Sequence, residues 1–191
     1  MALMSLSVEK PAGATGGTVD WTFAAPDQTF DYLAQGETVT LNYAITLSDG
    51  NGATDTSTVF VTVTGTNDAP EVTAGGTLAY TEKDAATPID VGVTLADLDD
   101  TQLEGATVAI TGGFQSGEDS LSFANQNGIT GSYDAATGIL TLSGPAILAN
   151  YETALQSVAY ANSSDAPDET DREITFTVND GTADSAVATS N

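Results

Sequence analysis

TVTLNYAITLSDGNGATDTSTVFVTVTGTNDAP, residues 38–70, carries the pattern from which the fold is read. Residues 38 to 47 and 57 to 64 alternate apolar with polar or threonine residues, the period of strands with one face buried and one face wet. Between them SDGNGATD (48–55) supplies Asp-Gly and Asn-Gly steps, which reach positive φ cheaply and make the turn of a hairpin. The second strand runs out at Gly65, and Asn67 and Asp68 then stand ahead of Pro70. Neither favours a strand interior, and Pro70 confines Ala69 to extended backbone, so TNDAP reads as a short, stiff joint. A joint bearing side-chain oxygens suggests a cation.

The charge balance says the same of the whole chain. Its 191 residues hold 27 acidic side chains against 3 basic ones (Lys10, Lys83 and Arg172), with no histidine, for a formal charge of -24. Nucleic acid and anionic membrane surfaces reward clusters of Lys and Arg that this chain lacks, which makes both poor partners, and no nucleic acid is expected. Two carboxylates 4 Å apart repel by about 4 kcal/mol at an effective dielectric near 20, and almost none can be neutralised by an internal ion pair. There is no cysteine, so disulfides, thiolate zinc sites and cysteine nucleophiles drop out. No apolar run approaches the roughly 18 residues of a spanning helix, so no membrane insertion is expected. The opening MALM is too short for a signal peptide, and the chain reads as an excerpt of a longer protein.

Outward from the hairpin, GGTVDWTFAA (16–25) reads as a strand with Trp21 and Phe23 on its inward face, Trp21 as a core residue. Beyond the joint, strands are expected at 77–82, 88–95, 106–112, 119–124, 128–134 and 138–144. The period then changes: after Pro145, residues Ile147, Tyr151, Leu155 and Val158 recur at helical spacing, which predicts one short helix. The stretches 41–63 and 172–190 share a strand, Asp-Gly turn, strand layout, which suggests two modules in tandem, 1–70 and 71–191. The fold class expected is all-β: two tandem antiparallel Ig/cadherin-like β-sandwich modules, the second with one short helix.

Calcium takes six to eight oxygen ligands, and Asp and Asn on loops provide them. LADLDD (95–100) places Asp97, Asp99 and Asp100 at a strand end, with Asp97 and Asp99 on one side if the backbone stays extended. Asp180 lies in an Asn-Asp-Gly turn, too common a tripeptide to mean much alone. Asp49, Asn51 and Asp55 echo a calcium loop, but no glutamate follows at the twelfth position, which rejects an EF-hand.

Residues 18–70, with DYLAQGET, the SDGNG turn and the TGTNDAP ending in order, resemble the C-terminal part of a VCBS repeat, a module of giant bacterial surface adhesins and RTX-type exoproteins. Residues 71–191 resemble the cadherin-like modules of the same adhesins, in LADLDD, SYDAATGILTLSG, ANYETALQSVAY and TDREITFTVNDG. The resemblance implies calcium ligands Asn67 and Asp68 from the joint, Asp97 and Asp99 from the second module, and Asp180 from its late turn. It implies Asp171 and Glu173, with Glu82 as an addition, at an opposite, C-terminal junction. The TNDAP joint is shorter than a cadherin linker, and the front portion of a VCBS repeat has no counterpart here.

The function these readings imply is a calcium-binding extender and adhesion segment of a large secreted bacterial adhesin. Ca²⁺ would rigidify the junction for cell-surface attachment or biofilm formation. Expected partners are calcium ions, neighbouring modules of the same chain and a cell-surface glycan or protein. The alternative is a module binding polysaccharide, or a peptide added to a sheet edge, with Phe30, Tyr32, Phe114 and Tyr133 as candidate stacking aromatics. Without His or Cys an enzyme would need paired carboxylates, and the acids have the simpler reading as metal ligands. An isopeptide crosslink is not expected, since Lys83 lies beside Glu82 and Asp84 in a polar stretch and Lys10 lies near the terminus.

Overall fold

The computed structural model describes residues 3–191. The chain divides into two compact units, Met1–Thr66 and Asn67–Asn191.

In the first unit β1 (Leu3–Glu9) pairs antiparallel with β2 (Thr18–Ala24), and β3 (Thr38–Ser48) with β4 (Thr54–Thr64). Met4, Leu6 and Val8 stand opposite Phe23, Trp21 and Val19, so one face of the first hairpin is wholly apolar. In the second hairpin Val39, Leu41 and Tyr43 stand opposite Val63, Val61 and Val59. Its other face is threonine-rich, and hydroxyls pair between Thr40 and Thr62 at 3.2 Å and between Thr46 and Thr56 at 3.0 Å. The Phe23 ring joins the apolar faces, its centroid 6.5 Å from Phe30 and 6.4 Å from Tyr43. Gly65 ends β4 because a Cβ there would lie 2.2 Å from the Leu33 carbonyl oxygen.

Burial in this unit is slight. Leu33 is its one buried apolar side chain among the described residues, and Trp21 is 45% exposed. The expectation of a core Trp21 is therefore corrected. The indole does lie on the apolar face, but each sheet has two strands, and none of the described residues covers the outer end where Leu6, Val8 and Trp21 sit.

The second unit contains β5 (Glu71–Thr73), β6 (Thr87–Pro88), β7 (Thr94–Ala96), β8 (Gln102–Gly112), β9 (Asp119–Ser122), β10 (Thr130–Asp134), β11 (Ile139–Ile147), α1 (Leu148–Gln156), β12 (Ala159–Asn162), β13 (Glu173–Asn179) and β14 (Ala188–Ser190). A five-stranded antiparallel sheet runs β10-β11-β8-β13-β14, beside a three-stranded sheet β6-β12-β9 and the pair β5-β7. The alternation read in the sequence becomes burial here: every second residue of β13, Ile174, Phe176 and Val178, is buried. They share one core with Val108 and Leu142 of the same sheet, Leu121 and Tyr160 of the smaller one, and Tyr151 and Leu155 of the helix.

Three expectations change. Residues 77–82 form no strand; the segment is tied to the chain end by Leu78 N–H donating to the Asn191 carbonyl at 2.7 Å and Asn191 N–H donating to Gly76 at 3.0 Å. The run 88–95 breaks because the Asp90 carboxylate accepts the Gly92 N–H at 2.8 Å and closes a turn, leaving β6 and β7 on either side. Pro145 opens no helix. It sits in β11 where the register with β8 shifts between Ser143 and Ala146, a place where its missing N–H costs no ladder bond. The helix starts at Leu148, with Tyr151 and Leu155 buried and Ile147 half exposed.

Trp21 is the only tryptophan, so its emission should be that of a water-exposed indole, fully quenchable by acrylamide; blue-shifted, protected emission would contradict the open hairpin. Phe176→Ala should destabilise the second unit by about 3–5 kcal/mol in urea unfolding, and should leave the Trp21 signal unchanged.

Candidate metal centre

β7 delivers the chain into Asp97-Leu98-Asp99-Asp100, and Asp97 organises this loop. Its Oδ1 accepts the N–H of Asp99 at 3.1 Å and of Asp100 at 3.0 Å. The backbone therefore turns at once. Strand alternation, which the sequence suggested as the reason Asp97 and Asp99 share a side, is replaced by an Asx turn that curls the acids round one centre.

Asp180 arrives from the turn after β13. Its Oδ1 accepts the N–H of Thr182 at 2.6 Å and of Ala183 at 2.7 Å, which closes the Asn-Asp-Gly turn and aims the other oxygen outward. That oxygen, Oδ2, accepts the Asn67 side-chain N–H at 2.9 Å. Asn67 also donates to the Asp68 carbonyl at 2.7 Å, and Asp68 N–H donates to Asp99 Oδ2 at 3.2 Å. Pro70 is buried and β5 begins directly after it. The joint is thus bonded to the acidic loops of the second unit.

Asp97, Asp100 and Asp180 each present a carboxylate oxygen within 4.8 Å of the other two. Two buried oxygens in the same loop, Asp97 Oδ2 and Asp99 Oδ1, have no protein donor among the described residues. Burial pushes the Asp97 carboxyl above its ordinary value, and the neighbouring Asp99 carboxylate pushes it the same way against two backbone N–H groups. At Asp180 burial acts in the same direction but is outweighed by the N–H groups of Ala183 and Thr182 and the Asn67 amide, so its pKa lies below the ordinary value. An unsatisfied buried polar atom costs about 1–3 kcal/mol, more when charged.

These residues fit a hard divalent cation. All donors are oxygens, which excludes the nitrogen and sulfur sets of zinc. Carboxylate oxygens within 4.8 Å of one another are close enough to share one ion at Ca–O distances of about 2.4 Å. Asp97, Asp100 and Asp180 would hold such an ion, which would supply positive charge beside the loop that carries the two partnerless oxygens.

The second implied set is not gathered in this way. Glu82 and Asp171 line one cleft, which none of the residues of LADLDD lines, whereas Glu173 is exposed and accepts the Thr111 hydroxyl at 3.0 Å. Of the candidate stacking aromatics Tyr32 is exposed, but Phe114 and Tyr133 pack against the core, and Tyr133 donates its hydroxyl to the Asp119 carbonyl at 3.1 Å. Lys83 is exposed and pairs with Asp165 at 2.9 Å.

Two buried carboxylates escape a reading of the sequence. Asp119 lies in the interior, where Oδ2 meets Arg172 Nε at 2.8 Å and the Gln115 N–H at 2.7 Å. Its Oδ1 meets Tyr160 Oη at 2.5 Å and Asn162 Nδ2 at 2.7 Å. Asp90 Oδ2 accepts the N–H groups of Gly75 and Gly76 and the Ser190 hydroxyl, which ties the segment after β5 to β14. Burial opposes ionisation of both, yet the donors win and both pKa values lie below the ordinary one. The only sequence signal is Arg172 itself, the sole arginine among 27 acids.

No family model matches this chain, and no solved structure matches it. Halomucin of Haloquadratum walsbyi (strain DSM 16790 / HBSQ001) is 34% identical over 185 residues, covering 86% of this chain. The chain spans 2% of the length of that relative.

The shifts predict how stability varies with pH. Asp90, Asp119 and Asp180 are depressed, so their stabilisation is present above the unfolded value of 3.8 and is lost as pH falls through their folded values. Asp97 is raised, so without cation its contribution declines as pH climbs from 3.8 through the folded value. In calcium-free urea titrations at neutral pH, Asp119→Asn should cost about 3–5 kcal/mol by stranding Arg172. Asp97→Asn should be neutral or stabilising under the same conditions, and a large loss would show that Asp97 is satisfied without a metal.

Proposed function

We propose that this chain is a calcium-binding segment of a long extracellular surface protein, in which the ion clamps the joint Asn67–Pro70 to the acidic loops of the second unit. The observation that carries the reading is the pair of buried, partnerless oxygens on Asp97 and Asp99 beside the Asp97, Asp100, Asp180 trio. A fold that satisfies Asp90, Asp119 and Asp180 with N–H and guanidinium donors leaves these two oxygens aside, and a divalent cation is the partner that would complete them. Asn67 would serve from the joint: its amide already reaches Asp180 Oδ2, and turned by half a rotation it would offer oxygen to the ion. Similarity to a small part of halomucin supports the coarser reading of a segment within a long surface protein.

Calcium supplies charge neutralisation and fixed coordination here. Extracellular modules bind it at about 10⁻⁴ to 10⁻³ M, which corresponds to roughly 4 to 5.5 kcal/mol per site. That is comparable with the cost of two orphaned oxygens at about 1–3 kcal/mol each and suffices to hold a short joint, while remaining far below what a domain core supplies. The segment would then act mechanically, as a spacer in an adhesin that stiffens where calcium is plentiful. A glycan-binding role is the second reading, favoured by the exposed aromatics Trp21, Tyr32 and Phe60 on the first unit.

Calorimetric titration of the chelator-stripped chain should show calcium binding in the range from tenths of a millimolar to a millimolar. Asp97→Asn and Asp180→Asn should each weaken it by about tenfold or more, the effect of losing one charged ligand interaction of at least 1.4 kcal/mol. Small-angle scattering should report a stiffer particle on calcium addition, and wild-type heats surviving in the Asp97→Asn, Asp180→Asn double variant would place the ion elsewhere.

A further inference from the structure

Away from the acidic loops, the second unit carries a cleft of about 670 Å³ between residues 77–82 and 166–172. This is within the size range of small-ligand sites. Its floor is apolar: Ile89, Tyr160 and Ile174 are core residues, and Tyr80 stands edge-on to Tyr160 with ring centroids 5.1 Å apart. Its rim is acidic. Glu82 of one lining segment and Asp168, Glu169 and Asp171 of the other are all exposed.

Arg172, the one cation lining the cleft, is already engaged. Its Nε binds Asp119, while one terminal nitrogen donates to the carbonyls of Asp168 and Thr170. The guanidinium thus shapes the wall that holds Asp168 and Thr170, and no ion pair engages Glu82, Glu169 or Asp171 among the described residues. The exposed Lys83–Asp165 pair bridges the loops that carry the lining segments at 2.9 Å. A bare metal ion would make no use of the apolar floor, and a neutral sugar would make no use of the four carboxylates. A ligand matching both has an apolar stem and a positive head, the description of a lysine or arginine side chain.

We propose that this cleft receives a basic side chain from a partner polypeptide, its stem on Ile89, Tyr160 and Ile174 and its cationic head between Glu82 and Asp171. The site is distinct from the calcium loops, and each can fail without the other. Complementarity supports the occupant further, since a chain of charge -24 attracts basic segments at long range.

The test is amide and methyl NMR on the full chain, titrated with three capped tripeptides, Gly-Lys-Gly, Gly-Arg-Gly and Gly-norleucine-Gly, each with calcium and with chelator. The basic peptides should shift Ile89, Tyr160 and Ile174 with millimolar affinity, leaving Asp97 and Asp180 unmoved. Raising the salt should weaken them, and norleucine should bind at least about fivefold more weakly, the size of two exposed ion pairs. Glu82→Gln with Asp171→Asn should cost a similar factor while leaving the unfolding midpoint unchanged, because both side chains are exposed. Equal binding of norleucine, insensitivity to the double substitution, or shifts at these residues with calcium alone and none with the basic peptides would overturn the proposal. A preference between lysine and arginine would identify the head group.

Discussion

A shortage of positive charge governs this molecule. With 27 carboxylates and 3 basic residues, the fold can give very few acids an ion-pair partner, and it spends its one arginine on the most deeply buried of them. Asp119, its side chain wholly inaccessible, takes Arg172 together with Tyr160, Asn162 and a backbone amide. Asp90 is held by backbone N–H groups of three glycines and one serine hydroxyl, donors that carry no formal charge yet stabilise a carboxylate effectively. The two arrangements fasten separated parts of the second unit: β9 to β12 and the start of β13 in one case, the segment after β5 to β14 in the other.

The acidic loops stand apart because neither solution is available there. The Asx turn of Asp97 uses up the amides of Asp99 and Asp100, and the Asp180 turn uses those of Thr182 and Ala183. Once those amides are committed, Asp97 Oδ2 and Asp99 Oδ1 have nothing left to accept from among the described residues. Local turn formation and the leaving of unsatisfied oxygens are one event: the turns that consume these amides sit beside the trio Asp97, Asp100 and Asp180, whose carboxylate oxygens lie within 4.8 Å of one another.

The two units differ in how they are held. The second has a shared core from two sheets and a helix, with Val93, Leu103, Val108 and Phe176 fully buried. The first relies on cross-strand pairing, threonine hydroxyl pairs and an aromatic contact around Phe23. Since backbone ordering costs about 1–2 kcal/mol per residue, a unit with one buried apolar side chain has little to set against it.

What the amino-acid order determined by itself was local: strands in the alternating runs 38–47, 106–112 and 138–144, though not in 77–82, and turns wherever Asp or Asn preceded Gly. The stiffness of TNDAP was legible too, because proline acts on its own neighbour. The strand Leu3–Glu9 is hidden from a reading that weighs the opening residues only for leader signals, although Leu6 and Val8 alternate with serines there. Tertiary structure alone decided which acids meet. Asp180 lies 80 residues beyond Asp100, and Arg172 finds Asp119 across 53 residues, distances over which no sequence period operates. It also decided that Trp21, inward by pattern, stays wet: alternation chooses a face, but only another layer of structure can cover it.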